Sequence, residues 1–274
     1  MASTKHRLIA TVLVNNGIVV QTRKFKRTNM VGNAFTAVDF FNSWSVDEII
    51  VLDISNSSEF DFKFLNIIEE LSKRCFVPLS VGGKIANIEH VRKYTYAGAD
   101  KIVVNTQAFL NPKLIMEITN KFGRQSCIVS IDVKSDTSQP SGYAIATNNG
   151  CNFHSYDAMK WALNVQKLGA GEVMVNNVDY DGDKRGYDLV IMEKMSNSLN
   201  IPVIAMGGVG KWQDLHDGII KGRVDAVAAG NIFHYTEHST KKAKEYLQKA
   251  GINVRVSDFY KINMPRKQKY RPFQ

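Results

Sequence analysis

Eight short apolar runs rich in β-branched residues recur along the chain. They lack the steady alternation of half-buried strands, so each is predicted to be a strand buried on both faces, as in a parallel sheet. Amphipathic stretches of helical length separate most of them, for example residues 62–75, 88–98 and 111–123. Eight strand–helix units predict a closed (β/α)8 TIM barrel. The predicted strands are RLIATVLV (7–14), EIIVLDI (48–54), VPLSV (77–81), ADKIVVN (99–105), CIVSIDV (127–133), GEVMVNN (171–177), IPVIAM (201–206) and VDAVAAG (224–230).

An internal repeat supports this architecture. Residues 78–109 resemble residues 202–233: each segment reads as a strand, a Gly-Gly turn, a helix, a glycine before the next strand, and a small polar turn. Two similar half-barrels of four units each would produce this pattern. The first strand then corresponds to the fifth, so that Leu13 stands where Asp132 stands in the other half. Both positions fall at the carboxyl end of a strand, where barrel enzymes carry their chemistry.

The length of 274 residues suits one barrel, and we predict a single (β/α)8 domain over residues 1–260 with a basic tail over residues 261–274. The net charge of +9 favours an acidic partner or an anionic ligand. No nucleic-acid-binding signature is visible, so we expect no nucleic acid as partner. No apolar run approaches a membrane span and no signal peptide precedes the first strand, so we expect a cytoplasmic protein.

The cysteines and histidines indicate neither a disulfide framework nor a metal site. Cys75, Cys127 and Cys151 form no C-x-x-C pair, and the six histidines are scattered. Cys127 opens an apolar run and is predicted to be core. No His/Cys cluster has zinc spacing, and we expect no metal and no cofactor.

Two sets of small, glycine-rich turns follow the predicted strands. Glycine lets the backbone approach an anion closely, and the helix that follows points its N–H groups at it. Two such cradles on opposite sides of the barrel would suit an elongated ligand with a phosphate at each end; the alternative is that the glycines only make tight turns. Lys84, directly after the first Gly-Gly pair, adds a charge or disturbs the cradle. The first set is Gly82, Gly83, Asn105 and Thr106, and the second is Asp181, Gly182, Gly207, Gly208, Gly230 and Asn231.

Six segments carry a family resemblance. VGGKI, GADKIVVNT, VSIDVK, NNVDYDGDKRGYD, MGGVGK and YLQKAGINVR resemble, in order and from about Arg7 to Arg255, the cyclase subunit of imidazole glycerol phosphate synthase. The resemblance implies a (β/α)8 barrel that takes ammonia from a separate glutaminase subunit and passes it up through the barrel. At the carboxyl-end face such a cyclase cleaves and cyclises a ribulosyl aminoimidazole carboxamide nucleotide.

The resemblance also implies two facing catalytic aspartates at the ends of the first and fifth strands, suited to elimination and ring closure. Asp132 matches the second, but Leu13 replaces the first and cannot transfer a proton. Other departures lie on the same face: Thr11 replaces a usual cysteine, Gln21 a basic residue, and Met206 a usual serine. Asn176 and Asn177 also stand where small hydroxyl residues are usual. We therefore expect that the chain does not make the histidine precursor.

At the amino end of the barrel the resemblance implies a ring of salt-bridged charges that gates ammonia. Carried over by position, the ring consists of Arg7, Glu48, Lys101 and Glu172, at the starts of the first, second, fourth and sixth strands. All four have the expected charge. The alternative is that these charges merely cap the bottom of the barrel.

The chain combines a complete ring of charges at the amino end with a missing catalytic acid at the carboxyl end. In this combination it resembles a divergent branch of the family. Its members work beside a glutaminase and a sugar amidotransferase, and help to convert an acetamido group into an acetamidino group on a bacterial surface-polysaccharide sugar. Residues 19–42 look like the loop that follows the first strand in that branch. The cations of this segment are expected to bind an anionic sugar nucleotide or an acidic partner. The alternative is that the segment is a solvated, mobile loop. Those cations are Arg23, Lys24, Lys26 and Arg27.

Three rival functions stay open. One is a cyclase that tolerates Leu13, and another is a scaffold that only tethers two enzymes. The third is an unrelated phosphosugar isomerase, for which Asp53 and Asp179 at strand ends are the candidate acids; both residues could equally cap loops.

Overall fold

The computed structural model describes residues 5–56, 60–235 and 238–256, and within them a closed parallel barrel forms the centre of the molecule. The eight predicted strands are confirmed, with ends that differ from the prediction by a few residues at most. Two further pairs of strands extend from the barrel. The strands are β1 (Arg7–Asn15), β2 (Ile18–Arg23), β3 (Lys26–Gly32), β4 (Glu48–Asp53), β5 (Leu79–Gly82), β6 (Lys101–Val104), β7 (Cys127–Ser135), β8 (Tyr143–Thr147), β9 (Asn152–Asp157), β10 (Glu172–Asn177), β11 (Val203–Met206) and β12 (Ala226–Ala229).

The barrel closes through parallel pairing of β1 with β4, β4 with β5, β5 with β6, β6 with β7, β7 with β10, β10 with β11, β11 with β12, and β12 with β1. Helices surround these strands and cover their outer face. The helices are α1 (Ala34–Ser43), α2 (Phe62–Ser72), α3 (Ile88–Tyr96), α4 (Thr106–Leu110), α5 (Lys113–Phe122), α6 (Ala158–Lys167), α7 (Leu189–Ser198), α8 (Trp212–Ile220) and α9 (Ser239–Lys249).

Local sequence explains where several helices begin. Asn87 precedes α3, and its side chain accepts hydrogen bonds from the backbone N–H groups of Glu89 and His90. Asp157 caps α6 in the same way through Lys160 N–H. Such caps satisfy N–H groups that have no partner inside the helix.

Two hairpins, which the sequence analysis did not predict, follow the first and fifth barrel strands. Residues 19–42 are not an irregular loop: β2 and β3 form an antiparallel hairpin, and α1 begins at Ala34. The strands β8 and β9 form a second hairpin after β7. The hairpins occupy corresponding places in the two half-barrels. Asn16 and Gly17, both at positive φ, make the turn into the first hairpin, so the Asn-Gly pair was the available sequence signal.

Buried apolar side chains form two clusters. The larger cluster lies between the strands and the helices and includes Cys127, which confirms its predicted place in the core. The smaller cluster fills the interior of the barrel, which we call the lumen. Side chains alternate along a strand, so residues two apart face the same side. The lumen cluster comprises Ile9, Leu13, Val20, Ile50, Val103, Ile128, Met174, Ile204, Met206, Ala226 and Ala228.

Across the described parts of the chain, none of the helices combines the length and the apolar character that crossing a bilayer requires. The tail predicted for residues 261–274 lies outside the described residues.

Candidate functional site

Four charged side chains form a closed ring at the amino end of the lumen, which we call the entrance ring. Arg7 binds Glu48 at 2.8 Å and also hydrogen-bonds both carboxylate oxygens of Glu172. Lys101 Nζ lies 2.9 Å from Glu48 Oε2 and 2.7 Å from Glu172 Oε1. Ser80, which the sequence analysis did not single out, donates to Glu48 Oε1 at 2.6 Å. Each cation therefore contacts both acids.

The entrance ring lies across the barrel interior. Arg7 belongs to β1 and Glu172 to β10, and β11 and β12 separate these strands on the barrel wall. Lys101 on β6 is likewise separated from Glu172 by β7. Bridges between strands that are not neighbours must cross the interior. The four predicted residues thus meet at one place and close the amino end of the lumen.

The ring is strongly buried, and its charges depend on one another. The Glu48 side chain is 1% exposed and that of Lys101 is 16% exposed. Burial alone would raise the pKa of Glu172, but the hydrogen bond and charge of Arg7, followed by those of Lys101, hold the pKa below its ordinary value. For Arg7, burial opposes the charge, and the hydrogen bond with Glu172 nevertheless keeps the pKa raised. Arg7 and Glu172 are therefore held in their charged forms near neutral pH.

At the opposite end of the lumen, which we call the mouth, Asp132 is buried on β7. Asn105 Nδ2 donates to its carboxylate at 2.6 Å, and Ser130 donates at 3.4 Å. Burial raises the pKa of Asp132 to about 7; the hydrogen bonds from Asn105 and Ser130 lower it in part, and the charge of Asp181 raises it further. A carboxyl group with this pKa can exchange a proton near neutral pH.

Leu13 lies at the same end of the barrel and belongs to its apolar side. Its neighbours across the strand pairs are Leu52 on β4 and Val20 on β2. Leu13, Val20 and Met206 all pack into the lumen cluster. These three side chains cannot transfer a proton, although Asp181 lines the same pocket as Leu13 and Met206. The side formed by Asp132 and Asn105 is polar.

The tip of the first hairpin reaches across the mouth and is held by Asp181. The backbone N–H of Lys24 donates to Asp181 O at 2.8 Å, and that of Phe25 donates to Asp181 Oδ2 at 3.0 Å. Burial raises the pKa of Asp181, while hydrogen bonds from Phe25 and the Thr22 side chain lower it. Lys24 and Phe25 both adopt positive φ, which a two-residue hairpin turn requires.

The side chains of the first predicted cradle are already engaged within the protein. Asn105 donates to Asp132, and Thr106 Oγ1 accepts from Asn148 N–H at the tip of the second hairpin. Lys84, at φ +57°, donates to the carbonyl of Ser55. At Gly83 a side chain would come within 2.4 Å of Asp53 O, so tight packing alone explains this glycine.

The second predicted cradle borders a small pocket of about 30 Å³ at the mouth, room for one or two water-sized molecules. Several of its glycines also pack closely on protein atoms. A side chain at Gly182 would come within 2.1 Å of Thr22 O, and one at Gly207 within 2.1 Å of Asn176 Oδ1. Residues of the second set that line the pocket are Asp181, Gly182, Gly207, Gly208, Gly230 and Asn231, and Leu13 and Met206 line it as well.

The remaining candidate residues lie around this mouth. Arg23 hydrogen-bonds Asp183 at 2.7 Å and is largely exposed. Gln21 contacts Asn231 O and Asn29 within the first hairpin and its surroundings. Asp53 accepts from Ser55 N–H at 2.9 Å, the geometry of a loop cap.

Two buried acceptors in the lumen carry no partner among the described residues. They are Thr11 Oγ1 and Asn176 Oδ1. The sequence analysis named both residues as departures from the resembled family but had no means of seeing that their polar atoms stay unpaired, because strand pairing in three dimensions decides that.

A closed (β/α)8 barrel with a charged entrance and an acid at its mouth defines the class of this protein. A family described as histidine biosynthesis protein matches residues 7–239. The chain is 41% identical over 253 residues to "Putative imidazole glycerol phosphate synthase subunit hisF2" of Vibrio vulnificus, covering 92% of each chain. It is 40% identical over 250 residues to imidazole glycerol phosphate synthase subunit HisF of Chlorobium phaeovibrioides, covering 91% of this chain and 98% of the relative. The chain belongs to this HisF-type histidine-biosynthesis family.

Proposed function

We propose that this chain is an ammonia-conducting barrel subunit. A glutaminase bound at the amino end releases ammonia, the entrance ring admits it, and the lumen carries it to the mouth. A sugar amidotransferase then uses it to convert an acetamido group into an acetamidino group on a surface-polysaccharide sugar. The single observation behind the proposal is the contrast between a complete entrance ring and an apolar Leu13 at the mouth, where the family resemblance implies an acid facing Asp132.

The lumen supports conduction because it is lined mostly by apolar side chains between its two ends. An apolar lining disfavours the charged ammonium ion far more than neutral ammonia. A closed path also keeps ammonia from being protonated in bulk water. Leu13 and Met206 extend this apolar lining to the exit.

The cyclase reaction of histidine biosynthesis is the second candidate. Asp132 favours it, because this acid is present and its pKa of about 7 suits proton transfer. Curated relatives at about 40% identity are named as subunits of that synthase. Against it stands Leu13, which cannot act as the facing acid that the family resemblance implies.

Complementation separates the two candidates. The chain is expressed in a bacterial histidine auxotroph that lacks its own cyclase subunit, with ammonium in excess so that no glutaminase is required. We expect no growth without histidine. Growth comparable to that given by a HisF control would overturn the proposal in favour of the cyclase.

Deletion of the gene in its own cells tests the sugar. We expect the mutant to remain independent of added histidine while its polysaccharide loses the acetamidino group, measured by mass spectrometry. Complementation with Lys101→Met should restore little of the group, whereas the exposed-residue control Lys113→Met should restore it fully. Full restoration by Lys101→Met at equal protein abundance would count against conduction and favour a tethering scaffold.

A further inference from the structure

A second polar layer stands above the entrance ring in the lumen. Thr11 lies four residues beyond Arg7 on β1, and Asn176 lies four residues beyond Glu172 on β10. At about 3.3 Å per residue, each lies about 13 Å further along its strand than the ring residue below it. Arg7 and Glu172 contact each other across the interior, and Thr11 and Asn176 lie further along the same two strands, which β11 and β12 separate on the barrel wall.

Both side chains face inward. Thr11 lies between Ile9 and Leu13, which belong to the lumen cluster, and shares their side of β1. Asn176 lies two residues beyond Met174, another member of that cluster. Thr11 is 1% exposed and Asn176 is 5% exposed.

The unpaired atoms indicate a ligand. Thr11 Oγ1 and Asn176 Oδ1 are buried, and neither has a hydrogen-bond partner among the described residues. Leaving a buried polar atom unpaired is unfavourable, so most such atoms are paired. Other polar atoms nearby do have partners: Asn105 and Ser130 donate to Asp132. Asp53 Oδ2, Arg92 Nε and Ser196 Oγ are also without a partner among the described residues. Thr11 and Asn176 differ from these three because they share the strand faces of the lumen cluster, along the path on which the proposed function depends.

We propose that Thr11 and Asn176 form a binding station for neutral ammonia just below the mouth. The inference rests on the proposed function of conduction. The Thr11 hydroxyl donates to the nitrogen lone pair, and an ammonia N–H donates to Asn176 Oδ1. One hydroxyl and one carbonyl oxygen match a small neutral molecule that both accepts and donates hydrogen bonds. The pocket at the mouth begins beside this level, since Met206, which lines it, pairs with Asn176.

The test follows nitrogen from glutamine to product. The chain, its glutaminase and the sugar amidotransferase are assembled with ¹⁵N-amide-labelled glutamine and excess unlabelled ammonium chloride, and the ¹⁵N fraction of the new amidino group is measured. Thr11→Val removes the hydroxyl at nearly constant shape. We expect the ratio of channelled to bulk nitrogen to fall about fivefold, the net effect of one lost hydrogen bond. Thr11→Ser should restore it.

Controls separate a lost station from a damaged protein. Ser196 Oγ is also buried and has no partner within the described part of the chain, but it lies on α7 outside the lumen, so Ser196→Ala should leave the ¹⁵N fraction at the wild-type value. The urea midpoint of Thr11→Val should be no lower than that of the wild type, which shows that the variant is folded. An unchanged ¹⁵N fraction in Thr11→Val would overturn the station.

A lumen block distinguishes this inference from the proposed function beneath it. Ala228 is fully buried in the lumen cluster, and Ala228→Trp fills the path. If Ala228→Trp abolishes ¹⁵N transfer while Thr11→Val does not alter it, the lumen conducts and the station alone is wrong. If Ala228→Trp folds and transfers ¹⁵N like the wild type, conduction itself is wrong.

Discussion

The two ends of the lumen handle buried polar groups in opposite ways. At the entrance, Arg7, Glu48, Lys101 and Glu172 all pair with one another, and each cation contacts both acids. At the mouth, Asp132 has an amide and a hydroxyl as partners but no cation among its hydrogen bonds. If one charge of a mutually compensating set is removed, the remaining buried charges lose a partner, and their burial then destabilises the fold. A set of neutral or single groups can change one residue at a time.

Removing one acid from the entrance ring should have the largest effect on stability. Glu48→Leu leaves Lys101 and Arg7 with one acid between them, and we expect a loss of about 3–5 kcal/mol in the free energy of unfolding, measured by urea denaturation. The double variant Glu48→Leu/Lys101→Met should recover part of it. Glu70→Gln, on the exposed face of α2, serves as the control and should leave the urea midpoint unchanged. A loss no greater than that of the control would mean that the ring charges are not interdependent.

The titration of Asp132 should give the next largest effect, and it depends on pH. Its folded pKa of about 7 lies above the ordinary 3.8, so between these values the folded state binds more protons than the unfolded state. The contribution of Asp132 to stability is therefore fully present below about pH 4. As the pH rises towards 7, the free energy of unfolding falls by up to about 4 kcal/mol. Asp132→Asn should remove this fall, so that the variant is more stable than the wild type at pH 8 and gains little at pH 4.

A control of opposite sign checks the origin of that pH dependence. Hydrogen bonds from Ser138 hold the pKa of Asp136 below its ordinary value, so its contribution is present at neutral pH and is lost as the pH falls. Asp136→Asn should therefore be less stable than the wild type at neutral pH, and the difference should shrink at acidic pH. Unfolding curves of Asp132→Asn that parallel the wild type from pH 4 to pH 8 would contradict the assignment.

An acid introduced at position 13 tests how well the apolar side of the mouth tolerates a charge. Leu13→Asp places a carboxylate among Val20, Leu52 and Met206, and we expect a loss of about 1–3 kcal/mol at pH 8 that shrinks at pH 5 as the new acid is protonated. Leu13→Asn is the uncharged control and should show no such pH dependence. A pH-independent loss equal in the two variants would mean that packing, not charge, sets the cost.

Thr11→Val should give the smallest change and the opposite sign. Removing a buried hydroxyl with no partner among the described residues should stabilise the protein by about 1 kcal/mol, measured by chemical denaturation. Destabilisation by the same amount would indicate that the hydroxyl has a structural partner.

Much of the fold could be predicted from local pattern. The unalternating apolar runs predicted all eight barrel strands, because strands buried on both faces need apolar residues at every position. The first hairpin was missed although Asn16-Gly17 is a strong turn signal, because basic residues such as Lys24 and Arg27 were weighed for their charge rather than for strand pairing. The second hairpin, β8 and β9, was not predicted at all.

The sequence by itself determined which groups the lumen contains: four charges at strand starts, Asp132 at a strand end, and leucine at position 13. Only the tertiary structure decided which of them are paired. Closure of the barrel sets the register that brings Arg7 to Glu172 and Asn105 to Asp132, and that leaves Thr11 Oγ1 and Asn176 Oδ1 without partners among the described residues. The physical reason is that these contacts cross between strands that are distant along the chain, so their energies depend on the curvature and stagger of the whole barrel rather than on any one segment.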